Sequence, residues 1–265
     1  MNRSTSGRRS WQLPRGVSSG TWDYVAEPSI ATEYDTFHGD QPLMRLDAQL
    51  LKERLSAYPP GKTCVADFGC GTARIARLIE PLGYRTLNID LSRHMLRTAK
   101  SSLTRPELGS WVHSNLVELE WLGDKVIDVA VCLFSSVGMI RGRTNRVAFL
   151  THVRRTLRSG GIFLLHVHNR GHSWFDPQGP WWLLSTKLKS LTAGSWEYGD
   201  RVYTYRGLPR MFLHIYSQHE LRADLRSAGF DRVDIVPIDR TGTAVLSNKL
   251  PGLYFRAGGF FAWAS

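Results

Sequence analysis

The segment from Val65 to Thr72 constrains the fold of this chain more than any other part of its sequence. It joins an apolar run to Gly69 and Gly71, which allow a sharp backbone turn and a close approach of the main chain to a ligand. A second apolar run ends at Asp90, about 20 residues beyond the glycines. A strand, a glycine turn that opens a helix and an acid at this spacing are typical of a site for a nucleoside-containing cofactor.

The residues around this turn argue against a dinucleotide. The dinucleotide pattern places a third glycine where this chain has Arg74. Asp67 stands just before the glycines, where its charge would repel a phosphate. The turn therefore favours a cationic ligand. A strand-to-helix turn without any ligand is the simpler alternative, but it leaves the acid at Asp90 without a role.

This motif resembles the first motif of the class I S-adenosylmethionine-dependent methyltransferases, which reads acid-x-Gly-x-Gly-x-Gly. One departure is Ala73 at the third glycine, and the resemblance extends from Val65 to the end of the chain. It implies that S-adenosylmethionine is the cofactor, that S-adenosylhomocysteine is the product, and that a nucleophile takes the methyl group directly. The cofactor residues that the resemblance implies are Asp67, Phe68, Gly69, Cys70 and Gly71 at the methionine end, Asp90 at the ribose, Leu91, Asn115 and Leu116 at the adenine, and Phe134 and Ser135 at the channel where the methyl group is transferred.

Strand-like and helix-like segments alternate along the chain, which predicts an α/β fold with a doubly wound, mostly parallel sheet. The predicted strands are 64–68, 85–89, 111–114, 126–134, 162–167, 233–236 and 260–263. Ser92 and the pair Ser217 and Glu220 are predicted to cap helices. The resemblance implies a Rossmann-like sheet of seven strands in the order 3-2-1-4-5-7-6, with the last strand antiparallel. Residues 21–265 are predicted to form a single domain.

Residues 169–216 exceed what is needed to connect the fifth strand to the next helix. The first half is predicted to be a loop rich in aromatic residues, and the second half alternates like a hairpin that turns at Gly207. Because this insertion leaves the carboxyl edge of a central strand, we expect it to cover the cofactor as a lid. Trp181 and Trp182 are the expected substrate contacts. A small satellite core or a dimer contact is the alternative.

Residues 1–20 are rich in Ser and Arg and contain no acid, which predicts a disordered basic arm or, in a eukaryotic source, a transit peptide. The aromatic segment that follows contains Tyr24 and Tyr34, which are expected to close over the cofactor and contact the substrate, as similar segments do in small-molecule methyltransferases. The three cysteines show no disulfide or metal spacing, which favours a reducing, cytoplasmic location. No stretch is long and apolar enough to predict a membrane span.

His166 and His168 alternate on the fifth strand, so both side chains are expected on one face near its carboxyl end. His168 is the candidate general base for a hydroxyl or amine acceptor. Hydrogen-bonded packing is the simpler role for both histidines. No carboxylate completes a ligand set with them, so no metal is predicted.

The formal net charge of +11 admits a nucleic-acid substrate. Arg141 leads a cluster with Arg143 and Arg146 after the fourth strand, and it is the candidate contact for an acidic substrate or a phosphate. Three functions are compatible with the sequence: a methyltransferase acting on a small molecule, a methyltransferase acting on RNA such as tRNA, and a non-catalytic regulatory protein that binds the cofactor. No separate RNA-binding module is recognisable, and the tetrapeptide Asn/Asp-Pro-Pro-aromatic of base-amino methyltransferases is replaced by residues 134–137. The sequence therefore favours a small molecule, and it leaves the oligomeric state open.

Overall fold

The computed structural model describes residues 10–39 and 41–265 of the chain. Within these residues the α-helices are α1 (Ser19–Ala26), α2 (Pro28–Thr32), α3 (Tyr34–His38), α4 (Pro42–Leu55), α5 (Arg74–Ile79), α6 (Arg93–Ser101), α7 (Arg143–Thr156), α8 (Gly179–Thr192), α9 (Gln218–Ser227) and α10 (Leu253–Arg256). The strands are β1 (Cys64–Phe68), β2 (Arg85–Asp90), β3 (Gly109–His113), β4 (Ile127–Cys132), β5 (Leu157–His168), β6 (Asp200–Tyr205), β7 (Leu208–His214), β8 (Val233–Asp239) and β9 (Ala257–Ala264).

Seven of these strands form one sheet in the order β3-β2-β1-β4-β5-β9-β8, and β6 pairs with β7 in a separate antiparallel hairpin. Strands β1 to β5 pair in parallel, whereas β9 runs antiparallel to both β5 and β8. With the hairpin set aside, this confirms the predicted order 3-2-1-4-5-7-6 and the antiparallel last strand. Because the parallel strands share one direction, the turns that follow them meet at one edge of the sheet.

The central strands are apolar on both faces, and helices cover each face, as expected for a parallel sheet. One face packs against α7 and α9 through Ala66, Phe149 and Leu221. The other packs against α4 and α5 through Val65 and Leu51. Burying a large apolar side chain of this kind stabilises the fold by about 1.5 to 3 kcal/mol. The sheet is therefore a firm support for the residues at its carboxyl edge.

The predicted helix caps are confirmed. The hydroxyl of Ser92 accepts a hydrogen bond from the N–H of Met95 at 3.4 Å and so caps α6 just after β2. The hydroxyl of Ser217 accepts from the N–H of Glu220 at 3.2 Å, and the two residues form a capping box at α9. Each bond satisfies a backbone donor that the first turn of a helix leaves unpaired.

The first half of the insertion differs from the predicted loop. It consists of a 3-10 helix over Arg170–Phe175 and the 14-residue helix α8. Pro180 lies in the first turn of α8, where proline is well tolerated, and Leu183 and Thr186 face inward at helical spacing. The second half is the predicted hairpin, although its turn lies at Arg206 and Gly207 and β7 already begins at Leu208.

The amino-terminal segment also differs from the expected arm. Residues 1–9 lie outside the described residues, but a 3-10 helix spans Ser10–Gln12 and α1 begins at Ser19. The hydroxyl of Ser18 caps α1 by accepting from the N–H of Thr21 at 3.0 Å. The basic composition of this segment concealed a cap and a short helix that pack against the rest of the protein.

Candidate active site

The turn after β1 has the backbone geometry that its glycines predict. Gly69 and Gly71 have φ angles of +80° and +53°, in the left-handed region that glycine adopts without strain. A Cβ on Gly69 would lie 2.9 Å from that of Ser136, so the close approach also requires glycine there. Ala73, at the third glycine of the motif, is left-handed too, with φ of +63°. The turn therefore keeps a glycine-like backbone at all three positions.

Two acids flank this turn, one at the end of β1 and one at the end of β2. The carboxylate of Asp90 accepts hydrogen bonds from the N–H of Gly71 at 2.8 Å and of Ser92 at 2.7 Å, which fix it at the sheet edge. Burial raises the pKa of Asp90, and these bonds oppose the rise. Burial raises the pKa of Asp67 to about 7, although the charge of Arg74 opposes it. A cation bound beside Asp67 would favour its ionised form.

A cleft opens at this edge of the sheet, and most of the predicted cofactor residues line it. They are Gly69, Gly71, Asp90, Leu91, Asn115, Leu116 and Phe134. Asp67 and Cys70 line a smaller recess that shares Gly69, Gly71 and Phe134 with the cleft. Because the two depressions have walls in common, one ligand with a nucleoside part and an amino-acid part can span both.

Two predicted cofactor residues line neither the cleft nor the recess. Phe68 is fully buried and packs edge to face against Phe149, with ring centroids 5.6 Å apart. Ser135 is buried, and its N–H donates to the carbonyl of His166 at 2.9 Å. Its neighbour Ser136 lines the cleft in its place. Sequence position alone could not separate these two serines, because the chain turns tightly after β4 into a 3-10 helix that begins at Ser136.

Asn115 is held in place by contacts within the protein. Its Nδ2 donates to the carbonyl of Arg15 at 2.9 Å, and its Oδ1 accepts from the N–H of Val117 at 3.2 Å. Gly16 and Val17, which follow Arg15, also line the cleft. The residue that the resemblance places at the adenine thus anchors the amino-terminal segment beside the same site.

The roof of the cleft is formed by α1, α3 and the β6–β7 hairpin. The predicted residues Tyr24 and Tyr34 line it together with His38, Tyr203 and Tyr205, which sequence reasoning missed. Nε2 of His38 lies 2.6 Å from the hydroxyl of Tyr205, and the ring centroids of Tyr24 and Tyr205 are 5.9 Å apart. The spacing of two residues between Tyr203 and Tyr205 on a strand was the available signal that both face one side.

His168 lies at the carboxyl end of β5 and lines the cleft, with its ring centroid 5.9 Å from that of Phe134. Burial and the neighbouring rings of His166 and His172 lower the pKa of His168 to about 3. The imidazole is therefore neutral at pH 7, and it can accept a hydrogen bond but holds a proton weakly. Its role as the general base stays a prediction.

The structure does not bring Arg141, Trp181 or Trp182 to the cleft. Arg141 lines a separate small pocket together with Arg210. Trp181 is 73% exposed on the outer side of α8, and Nε1 of Trp182 donates to the carbonyl of Asp200 at 3.2 Å. The hairpin, rather than the aromatic half of the insertion, lies over the cofactor cleft.

The other two arginines of the predicted basic cluster form ion pairs with carboxylates of the protein. Arg146 is fully buried and pairs with Glu197, and Nε of Arg143 lies 2.6 Å from a carboxylate oxygen of Asp224. These contacts neutralise the buried guanidinium group of Arg146 and the half-exposed guanidinium group of Arg143. Only Arg141 of that cluster is left as a candidate contact for an anionic substrate.

A cluster of acids and one histidine links the hairpin to the rest of the fold. Glu197, Asp200 and His214 place possible metal-ligand atoms within 4.8 Å of one another. The ring of His214 lies between two carboxylates, with Nδ1 2.8 Å from Asp200 and Nε2 2.9 Å from Glu220. Because Arg146 and His214 already supply positive or donor groups to these acids, the cluster is an ion-pair network that ties β6 and β7 to α7 and α9.

Comparison with known proteins agrees with this site. Residues 66–165 match a family model described as a methyltransferase domain. The Bacillus subtilis protein YqeM, whose name describes it as a methyltransferase, is 24% identical to this chain over 115 residues. That alignment spans 43% of this chain and 46% of the relative, so the chain covers about half the length of the curated relative that it matches.

Solved structures share the fold over most of the chain. A SAM-dependent methyltransferase from Methanosarcina mazei is 18% identical with a TM-score of 0.61, covering 80% of this chain and 95% of that one. The 1,6-didemethyltoxoflavin-N1-methyltransferase of Burkholderia thailandensis, solved with 1,6-didemethyltoxoflavin and S-adenosylhomocysteine bound, is 18% identical with a TM-score of 0.56. The similarity covers 89% of this chain and 83% of that one.

The sheet order and the matched domain agree with each other. Residues 66–165 match a methyltransferase domain, and the chain has the fold of solved SAM-dependent methyltransferases. These similar proteins use S-adenosylmethionine, and the two joined depressions with their flanking acids are the candidate site for it.

No helix among the described residues has both the length and the apolar character required to cross a bilayer.

Proposed function

We propose that this protein transfers the methyl group of S-adenosylmethionine to a small molecule by direct in-line displacement. The observation that carries this proposal is the aromatic roof over one side of the cleft. Tyr24, Tyr34, Tyr203 and Tyr205 converge from the amino-terminal segment and from the hairpin on the side of the cleft that faces away from the sheet. A polynucleotide needs an open groove, whereas a cleft covered on this side suits an acceptor of metabolite size.

The residues of the cleft are suited to hold the cofactor in one orientation. Asp90 would accept hydrogen bonds from the ribose hydroxyls, and Leu91 and Leu116 would flank the adenine. At the other end, the carboxyl group of Asp67 would face the methionine ammonium group. Arg74, whose Nη1 donates to the carbonyl of Met44 at 3.1 Å, lines the same recess and offers a cation to the methionine carboxylate.

The chemistry requires alignment and exclusion of water more than it requires a reactive side chain. When bound, S-adenosylmethionine supplies a methyl group on a positively charged sulfur. The aromatic roof and Phe134 would exclude water from the acceptor, and their ring faces favour a cation beside them. Holding the acceptor and the methyl group in line makes a bimolecular reaction effectively unimolecular.

Ion pairing at the carboxyl edge supports a small molecule over RNA. Two of the three arginines there already pair with carboxylates, which reduces the positive charge available to a phosphate backbone. The relative that binds 1,6-didemethyltoxoflavin takes a small heterocycle, which supports an acceptor of that size here. Since Cys64, Cys70 and Cys132 are unpaired, a reducing, cytoplasmic location stays our expectation.

The proposal is tested by incubating the protein with methyl-labelled S-adenosylmethionine and fractionated cell extract. We expect label in the metabolite fraction, and label confined to RNA or protein would contradict a small-molecule acceptor. Asp90→Ala should weaken cofactor binding by about 1 to 3 kcal/mol, because the ribose loses a charged hydrogen-bond acceptor. Asp234→Ala, at an exposed position on β8, is the matched control and should bind like the unaltered protein in calorimetry.

A further inference from the structure

A second cavity of about 570 Å³ adjoins the cofactor cleft. We call it the histidine chamber, because His166, His168 and His172 line it. His168, Tyr203 and Leu213 line both the chamber and the cleft, so they form a shared wall. A molecule in the chamber can therefore contact the same side chains as a molecule in the cleft.

His166 is a buried imidazole without a hydrogen-bond partner in the described part of the chain. Its side chain has no solvent exposure, and neither ring nitrogen has a hydrogen-bond partner among the described residues. A Cβ on Gly259 would lie 2.6 Å from Nε2 of His166, so the glycine keeps the space in front of this nitrogen open. Because a buried polar atom without a hydrogen-bond partner is costly to a fold, we expect these ring nitrogens to bind the contents of the chamber.

Asp47 lies behind His166 on α4. It is fully buried, and neither of its oxygens has a hydrogen-bond partner among the described residues. Its Oδ2 is 3.6 Å from Nδ1 of His166, and the ring centroids of His166 and His168 are 5.4 Å apart. His168, His166 and Asp47 thus form a row that leads from the shared wall into the protein.

The order of basicity along this row is set by burial. Burial raises the pKa of Asp47 to about 7 and lowers the pKa of His166 to about 3, and Arg74 lowers both. The pKa of His168 is likewise lowered to about 3. Among these three groups the carboxylate of Asp47 is the strongest base, so a proton taken up by the row would come to rest there.

The other charged groups of the chamber already have hydrogen-bond or ion-pair partners, or they lie at its solvent-exposed rim. Nη1 of Arg201 lies 3.2 Å from a carboxylate oxygen of Asp176, and the carboxylate of Asp239 accepts hydrogen bonds from residues 241, 243 and 244. Arg240 is exposed and stacks over Phe175. His172 has its pKa lowered by burial and by Arg240. None of these groups forms a hydrogen bond or an ion pair with Asp47 among the described residues.

We propose that the histidine chamber binds the methyl acceptor, and that this acceptor reacts through an O–H or N–H group whose proton passes by way of His168 and His166 to Asp47, with water at their unpaired atoms completing the hydrogen bonds between them. The inference rests on the proposed methyltransferase function and names the class of its substrate. The bond from the acceptor atom to the methyl carbon forms as the carbon–sulfur bond breaks, and that electron pair stays on sulfur. The acceptor's proton neutralises the Asp47 carboxylate, so the positive charge of the sulfonium and the negative charge of the carboxylate disappear together. A thiol needs no such base, because it ionises readily near neutral pH.

The first experiment uses the extract fraction that takes up label from methyl-labelled S-adenosylmethionine. It measures the rate of methyl transfer to this fraction as a function of pH. The unaltered protein should gain kcat as pH rises through about 7, because Asp47 acts as a base only when ionised. Asp47→Asn should lose about 100-fold in kcat and this dependence on pH, with cofactor affinity within twofold. The control is Glu53→Gln, an exposed position on the same helix that should keep both the rate and the profile. Equal rates and profiles for the unaltered and Asp47→Asn proteins would overturn the proposal, as would a product methylated on sulfur or carbon.

The second experiment needs no acceptor. In protein loaded with S-adenosylhomocysteine and labelled with carbon-13 at aspartate carboxyl groups, the Asp47 signal, assigned with Asp47→Asn, should titrate near pH 7. Titration of Asp47 below pH 5 would show that it cannot hold the proton near neutral pH, and this result would overturn the proposed proton path. If cofactor binds but no extract fraction accepts label, the proposed function itself fails, and this result is distinct from either outcome of the titration.

Discussion

Ala73 adopts at the third glycine of the cofactor motif a backbone conformation that alanine normally avoids. Its φ of +63° lies in the left-handed region, and its side chain is fully buried against Ala76 and Ala99. The left-handed backbone costs about 1 to 2 kcal/mol, while the buried methyl group contributes packing that a glycine would lose. These opposing terms explain how the turn keeps its shape with alanine in place of glycine.

Substitution of Ala73 separates backbone strain from packing. Ala73→Val should destabilise the protein by about 2 to 4 kcal/mol, because a β-branched residue is strongly disfavoured at positive φ and the site has no room. Ala73→Gly should stay within about 1 kcal/mol of the unaltered protein, since relief of strain and loss of a methyl group offset each other. Urea denaturation measures both, and a valine variant as stable as the glycine variant would contradict the left-handed assignment.

Sequence reasoning succeeded for residues tied to a local backbone motif. Gly69 and Gly71 come just after β1, and Asp90 is the last residue of β2. Their positions at the sheet edge could therefore be predicted from the sequence alone. Sequence reasoning was less accurate where the direction of a side chain decides whether it reaches the cleft. Ser136 lines the cleft instead of Ser135, and Phe68 is buried in the core. A one-residue change in a tight turn reverses the direction of a side chain, and composition carries no signal for it.

At the scale of elements, the roof depends on the contact between α1 and β7. Gly20 of α1 lies against the backbone of Arg210, so closely that a Cβ on Gly20 would be 1.6 Å from the carbonyl oxygen of Arg210. Thr21 and Tyr24, which follow on the same helix, line the cofactor cleft. A glycine is therefore needed for α1 to reach its place over the site.

Gly20→Ala should push α1 away from the hairpin. We expect at least a tenfold loss of cofactor affinity and a lower melting temperature, because the added methyl group meets a backbone atom that cannot rotate aside. Gly194→Ala is the control, since a Cβ there meets nothing within 4 Å. Calorimetry with S-adenosylhomocysteine measures the affinity, and unchanged binding by Gly20→Ala would show that α1 does not close the site.

The order of the sheet could be predicted because each strand–helix unit carries its own pattern of apolar residues. The roof could not, because its contacts join residues far apart in the chain, such as His38 and Tyr205. Helix α8 was missed for a different reason: residues 179–182 are unusually aromatic, and this concealed the helical spacing of Leu183 and Thr186. Local periodicity identifies elements, whereas tertiary contacts decide which of them meet.

At the scale of the whole molecule, the ion-pair network holds the insertion to the main sheet and its helices. Glu220 of α9 contacts His214 of β7 at 2.9 Å and Arg170 at 3.1 Å. The hydrogen bond to His214 and the charges of His214, Arg170 and Arg146 lower the pKa of Glu220, although burial opposes this. The stabilisation from Glu220 is therefore present above its unfolded pKa of 4.5 and is lost as pH falls through the lower folded value.

Glu220→Gln should destabilise the protein by about 3 to 5 kcal/mol at pH 7, because it removes the carboxylate that pairs with the buried Arg170. The difference from the unaltered protein should shrink as the pH falls below 4.5, where Glu220 itself becomes protonated. Glu107→Gln removes an exposed pair with Arg105 and should change stability by less than about 1 kcal/mol. Denaturation curves at several pH values test both, and a constant difference across that range would contradict the role of the Glu220 charge.

The contact between Tyr24 and Tyr205 has a consequence for biosynthesis. Residues near the start of the chain meet a partner that the ribosome delivers only after the first five strands of the sheet have been made. A nascent chain that has reached the end of β5 contains the glycine turn and both acids, but its site has no roof. Tight retention of the cofactor should therefore begin late in translation, once the hairpin has emerged and closed over the amino-terminal helices.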